Sequence, residues 1–200
     1  MLYIATTNEN KIKRLKTILK HLYGNKLSVR DISLLTLKKP VENGINEIGN
    51  VSIKAYHYFS LLGANTLAED VGVYFDNINI NHGHNFKNFL QNKKTGSKHE
   101  HVRAYLAQNN IKSGHFRYAY GLKTFSGLYV SVFDIPFKVN INAKNKKSTS
   151  GNVLNNFVVP YGYDHVFAEM TQKQLREYRI DNFGRNIEKF LDKHREIFDI

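Results

Sequence analysis

At 200 residues the chain has room for one domain and little for two. Its 42% apolar and 12% aromatic content can fill a core, and no run approaches the roughly 18–20 apolar residues of a membrane helix. The lack of cysteine excludes disulfides and thiolate metal sites, while the net charge of +12 permits an anionic partner without naming one, because Lys and Arg are scattered along the whole sequence.

Residues 2–6 read as a buried strand. The start, Met1 to Ala5, lacks the basic opening and long apolar stretch of a signal peptide, so a cytoplasmic protein with no membrane segment is expected. Thr6-Thr7-Asn8 is a run of helix N-cap types, followed by apolar Ile12, Leu15, Ile18, Leu19 and Leu22 at helical spacing and by Gly24 as a stop. A strand, a polar turn and a helix in that order present backbone N–H groups to an anion.

A second strand is expected over 27–37, ending at Lys38-Lys39-Pro40, and a polar loop with Glu42 and Gly44 leads to a helix over about 48–62 that Gly63 ends. The run Thr66-Leu67-Ala68 enters Glu69-Asp70, and Val71 to Phe75 continues as strand. Short helices are expected near 84–92 and 98–109, and an antiparallel pair over 115–125 and 128–140 turning at Ser126-Gly127. Residues 143–152 read as a surface loop, 153–167 as a strand and tight turn, and 171–197 as a closing helix. No repeat or linker divides the chain, so a single domain over 1–200 is expected.

Three groups of residues then carry a resemblance. Thr6-Thr7-Asn8-Glu9-Asn10-Lys11 resembles the Thr-Gly-Asn-x-x-Lys signature of the inosine-triphosphate pyrophosphatase family. Glu42-Asn43-Gly44, Ile53-Lys54-Ala55 and Leu67-Ala68-Glu69-Asp70 look like its acidic loop, helix lysine and acidic strand. Gly162-Tyr163-Asp164-His165-Val166-Phe167 is similar to its Gly-Tyr/Trp-Asp-Pro-x-Phe turn.

The resemblance implies an α/β fold, an elongated curved mixed β-sheet flanked by helices in two lobes with a central cleft. It also implies Mg²⁺-dependent hydrolysis of purine triphosphates with abnormal bases, such as ITP and XTP, to the monophosphate and pyrophosphate, commonly by a homodimer. The nucleoside triphosphate is then the partner, and no nucleic acid is expected. Carried onto this chain, Asp70, Lys11 and Lys54 are the catalytic candidates. Thr6, Thr7, Asn8, Lys11, Lys54, Tyr163, Asp164 and Arg185 are candidates for substrate contacts, and Glu42, Asp70 and Glu69 for the metal. These types suit the chemistry, since Mg²⁺ takes a few carboxylates plus phosphate and water, and lysines neutralise a polyanion. The nine histidines show no HExxH pattern, and His82, His84, His99 and His101 read as surface residues.

The chain departs from the pattern at four places, one of them Gly49-Asn50, which keeps the family's asparagine without the acidic residue that some relatives place before it. Thr7 stands for a glycine and His165 for a proline. Asp181-Asn182-Phe183 falls where the family has Ser-His-Arg, the residues that read the 6-oxo edge of the purine, and Arg185 compensates only in a shifted register. An altered or relaxed base preference is therefore expected. The competing expectations are a nucleotide-binding or interaction protein that has lost catalysis, and a basic nucleic-acid binder, which needs a coherent basic stripe with exposed aromatics.

Overall fold

The computed structural model describes residues 1–78, 83–86, 89, 97–144 and 152–197. Six strands form one mixed sheet in the order β2-β1-β3-β4-β5-β6, with β1 at Leu2–Ile4, β2 at Val29–Asp31, β3 at Thr66–Phe75, β4 at Ser113–Lys123, β5 at Leu128–Val139 and β6 at Val158–Pro160. Strand β1 pairs parallel with β2 and β3, and β5 pairs antiparallel with β6. The mixed α/β architecture expected from the sequence is the one that forms. The contacts divide the chain into two compact units, the first holding 1–70, 118–133 and 176–200, the second 71–117 and 134–175.

In the first unit, helix α1 (Glu9–Tyr23) starts where Asn8 caps it: the side chain accepts from Asn10 N at 3.1 Å and Lys11 N at 3.2 Å. Its apolar stripe buries Ile12, Leu15, Ile18, Leu19 and Tyr23, the last in place of Leu22. Helix α2 (Glu47–Leu62) is capped by Asn46, whose side chain accepts from Gly49 N at 2.9 Å, and ends at Gly63 in the left-handed conformation with φ 59°. Its buried face sets Val51, Ala55 and Tyr58 against Ala5, Ala68 and Ala119 of the sheet. Small residues on the strands let the helix lie close.

Two expectations from the sequence need correction in this unit. The strand expected over 27–37 ends at Asp31, because the Asp31 carboxylate accepts from Ser33 N at 2.9 Å and from the Ser33 hydroxyl, turning the backbone out of the sheet. The closing helix is not continuous. It runs as α4 (Gln172–Arg179), a single π-helical turn over Ile180–Gly184 and α5 (Arg185–Asp192), followed by a 3₁₀ turn at Arg195–Ile197. The Asn182 side chain donates to Tyr178 O at 3.0 Å and the Asn186 side chain to Asn182 O at 2.8 Å, satisfying carbonyls in the widened stretch.

In the second unit, helix α3 (Lys98–Gln108) carries a capping box between Ser97 and Glu100. Phe75, Phe86, Tyr105 and Phe137 make an aromatic core beside it. The pair expected over 115–125 and 128–140 appears as neighbouring β4 and β5, with Thr124 N donating to Gly127 O at 2.9 Å across the turn. Most of the helix expected at 84–92, most of the loop at 143–152, and His82 lie outside the described residues.

Candidate functional site

Strand β3 ends its passage through the first unit with two acids, and the pleat sends them to opposite faces. Ala68 packs against α2, so Asp70 faces α2; Glu69 faces α1. Each carboxylate therefore acquires its own set of partners.

Glu69 is 1% exposed. It pairs with the Arg14 guanidinium, accepts from the Tyr120 hydroxyl at 2.9 Å, and turns Oε1 toward Lys11 Nζ at 3.4 Å. Burial alone pushes a carboxyl up, but the charges of Arg14 and Lys11 and the hydrogen bonds from Arg14 and Tyr120 win, lowering its pKa from 4.5 to about 2. Lys11 also donates to the Glu69 carbonyl at 3.4 Å. Its own pKa is lowered, first by burial and then by Lys54 and Arg14 nearby, against the opposing pull of Glu69 and Asp70.

On the other face Lys54 bridges two acids, with Nζ 2.8 Å from Asp70 Oδ1 and 3.0 Å from Glu42 Oε2. Burial works against the ammonium, yet Asp70 and Glu42 outweigh it and raise its pKa. Asn50 ties the arrangement together: its amide donates to Asp70 Oδ2 at 3.3 Å and its carbonyl accepts from Gly44 N at 2.9 Å. The Glu42 loop is thus fastened to the first turn of α2.

Gly44 makes that fastening possible. A Cβ there would sit 2.5 Å from Asn50 N and 2.7 Å from the Gly49 carbonyl carbon, both main chain and unable to swing away. Gly44→Ala is expected to displace the loop, cost about 1–3 kcal/mol of stability, and loosen Glu42 from Lys54. Thermal unfolding checks the first effect and nucleotide titration the second.

The start of α1 is more self-contained than an open anion turn. Thr6 Oγ1 accepts from Asn8 N at 3.2 Å, and the Asn8 side chain already takes the Asn10 and Lys11 N–H groups. Thr7 and Asn8 are exposed. Arg185 is also exposed, beside His21, Leu22, Asp181 and Glu188, and it is Phe183 that approaches Arg14, with the guanidinium 4.9 Å from the ring centre. In the second unit Gly162, with φ 85°, turns the chain before Tyr163, whose hydroxyl donates to Gln174 O at 3.5 Å. Asp164 is exposed and bound to His165 Nδ1 at 2.7 Å.

The structure thus brings Glu42, Lys54 and Asp70 into contact and sets Lys11 on Glu69. The residues that the sequence left without a role are Arg14 and Tyr120, while Asn50, at the family's asparagine, is the one that ties Asp70 to the Glu42 loop. Asn50 lies one turn before Lys54 on α2, a spacing that puts both on one face. Arg14 follows Lys11 by three residues in the same way, hidden among Lys13 and Lys16.

A sequence model of the Ham1 family matches residues 2–193. The chain belongs to the Ham1 family. Among curated proteins it is 28% identical over 187 residues to a protein named dITP/XTP pyrophosphatase from Borreliella burgdorferi (strain ZS7), covering 90% of this chain and 86% of that one. Among solved structures it resembles a HAM1 protein from Coxiella burnetii, with a TM-score of 0.70 at 15% identity, over 94% of this chain and 98% of the other. It also resembles a nucleoside-triphosphatase / dITP/XTP pyrophosphatase from Mycobacterium abscessus, with a TM-score of 0.66 at 19% identity, covering 95% and 98%. At those identities the two structures speak for the Ham1 fold, and the family match carries the membership. The resemblance read from the sequence is borne out.

Proposed function

We propose that this Ham1 protein is a nucleoside-triphosphate pyrophosphatase that cleaves between the α- and β-phosphates of purine nucleotides with abnormal bases. The observation that carries the proposal is the contact of Lys54 with both Glu42 and Asp70, beside a partly exposed Lys11: two cations and two carboxylates set to receive a polyphosphate. Lys11 and Lys54 hold phosphate oxygens, and Asp70 orients the attacking water and takes its proton.

Magnesium fits these residues. Among the described residues no three His, Asp or Glu side chains converge as a cage, but Mg²⁺ is commonly held by one or two carboxylates and completed by substrate oxygens and water. Glu42 and Asp70, already facing one ammonium, are the pair that would hold it, and Glu69 is committed to Arg14, Lys11 and Tyr120. When bound, Mg²⁺ supplies charge neutralisation on the phosphates.

Base selection is proposed to be relaxed. The π turn directs a buried Phe183 at Arg14, and the Asn182 amide beside it donates to Tyr178 O. Sites that hydrogen-bond a base discriminate by about 10⁴–10⁵, whereas apolar ones reach only about 10². The test is pyrophosphate release with Mg²⁺ from ITP, dITP, XTP, GTP and ATP. We expect turnover of the first three, preferred over GTP by no more than about a hundredfold. No turnover from folded protein would move the assignment to a nucleotide-binding protein without catalysis. No helix among the described residues is long and apolar enough to cross a membrane. The cytoplasm, where nucleoside triphosphates are made and used, is the proposed location, and a homodimer the proposed assembly, which sedimentation tests.

A further inference from the structure

Arg14, its side chain 16% exposed, is a guanidinium that the proposed chemistry does not use. It pairs with Glu69 Oε2, its Nε has no hydrogen-bond partner among the described residues, and its faces lie 4.9 Å from the Phe183 ring centre and 5.5 Å from that of Tyr118. Lys11 is held differently. Both of its contacts with Glu69 are 3.4 Å long, at the limit of a hydrogen bond, and its side chain is 22% exposed.

Two cations thus face one buried carboxylate, which leaves one positive charge over, and the geometry decides where it resides. The short contact belongs to Arg14 and the loose one to Lys11. We propose that Arg14 is a positioning residue: by carrying the charge of Glu69 it leaves the Lys11 ammonium free to take a phosphate oxygen of the substrate. This inference rests on the assignment of Lys11 to the polyphosphate.

Without Arg14, Glu69 has Lys11 as its remaining cationic partner. In a buried setting that pair closes and Lys11 is neutralised as a phosphate ligand. Removing the charge of Glu69 at the same time restores the spare positive charge. The prediction is therefore about the net charge of three side chains, which separates it from a packing effect.

The experiment is calorimetric titration of the full chain with inorganic pyrophosphate, alongside steady-state hydrolysis of the triphosphate it turns over best. Arg14→Met is expected to weaken pyrophosphate binding and raise KM by about tenfold, with kcat changed by no more than about threefold. Arg14→Lys, and the charge-balanced pair Arg14→Met with Glu69→Gln, are expected to bind within about threefold of the parent protein. If Arg14→Met is not recovered folded, Arg14→Gln with and without Glu69→Gln makes the same comparison. Unchanged binding in Arg14→Met, or no recovery in the charge-balanced pair, overturns the proposal. The charge pattern in binding without any hydrolysis supports it and removes the enzymatic assignment instead. Hydrolysis with no dependence on residue 14 does the reverse.

Discussion

Asp70→Asn is expected to lower kcat for the preferred triphosphate by about 10²–10³-fold, while the protein stays folded. The substitution keeps shape and volume at a buried position and removes a charge. Lys54 retains Glu42 as an ion partner at 3.0 Å, so the ammonium is not stranded, and Asn50 keeps its bond to Gly44. What disappears is the carboxylate that takes a proton from water and that, with Glu42, would hold the metal. Lys54→Met is the complementary case. It removes a phosphate ligand and leaves Glu42 and Asp70 facing each other, so KM should rise before kcat falls. Pyrophosphate release against substrate concentration, with circular dichroism to verify folding, separates the two. Asp70→Asn within about tenfold of the parent would remove Asp70 from the chemistry.

The parts of this site that could be read from the sequence are those with local signals. The N-cap at Asn8, the helical spacing to Lys11, and the stops at Gly24 and Gly63 are matters of a few residues, and all are in place. Glu42, Lys54 and Asp70 come into contact because a capped loop, a helix of fixed rise and a strand leave little freedom between them. What stayed hidden depends on which face of β3 each acid takes. The pairing of Glu69 with Arg14 and Tyr120 joins residues 55 and 51 positions apart, and no local pattern announces such a pairing. The closing segment failed as well. It reads as one helix, but Asp181, Asn182 and Gly184 are weak helix formers at the point where it widens into a π turn, and there Phe183 packs toward Arg14 of α1.

Burial of Glu69 also makes the fold sensitive to acid. Its folded pKa of about 2 lies below the free value of 4.5, so its stabilisation is fully present above about pH 5 and is lost as pH falls toward 2. At about 1.4 kcal/mol for each pKa unit, this group carries on the order of 3 kcal/mol. Lys11 acts at the other end. Its folded pKa is lowered, so the unfolded chain binds the extra proton, and stability rises with pH between that lowered value and the ordinary lysine range. Glu69→Leu is expected to cost about 3–5 kcal/mol at pH 7, because it strands Arg14 and Lys11 without their counter-charge. For a chain of this size that is a fall in Tm on the order of 10 °C. Arg14→Met together with Glu69→Leu should regain more than half of the loss, since apolar groups can replace a buried ion pair at little cost and Lys11 can turn its ammonium to water. The same pair should also unfold less steeply between pH 5 and 2 than the parent protein, because the linked proton is gone. An acid limb in the pair as steep as the parent's would assign the sensitivity to other carboxylates, and the buried Glu69 would then count for local geometry rather than for global stability.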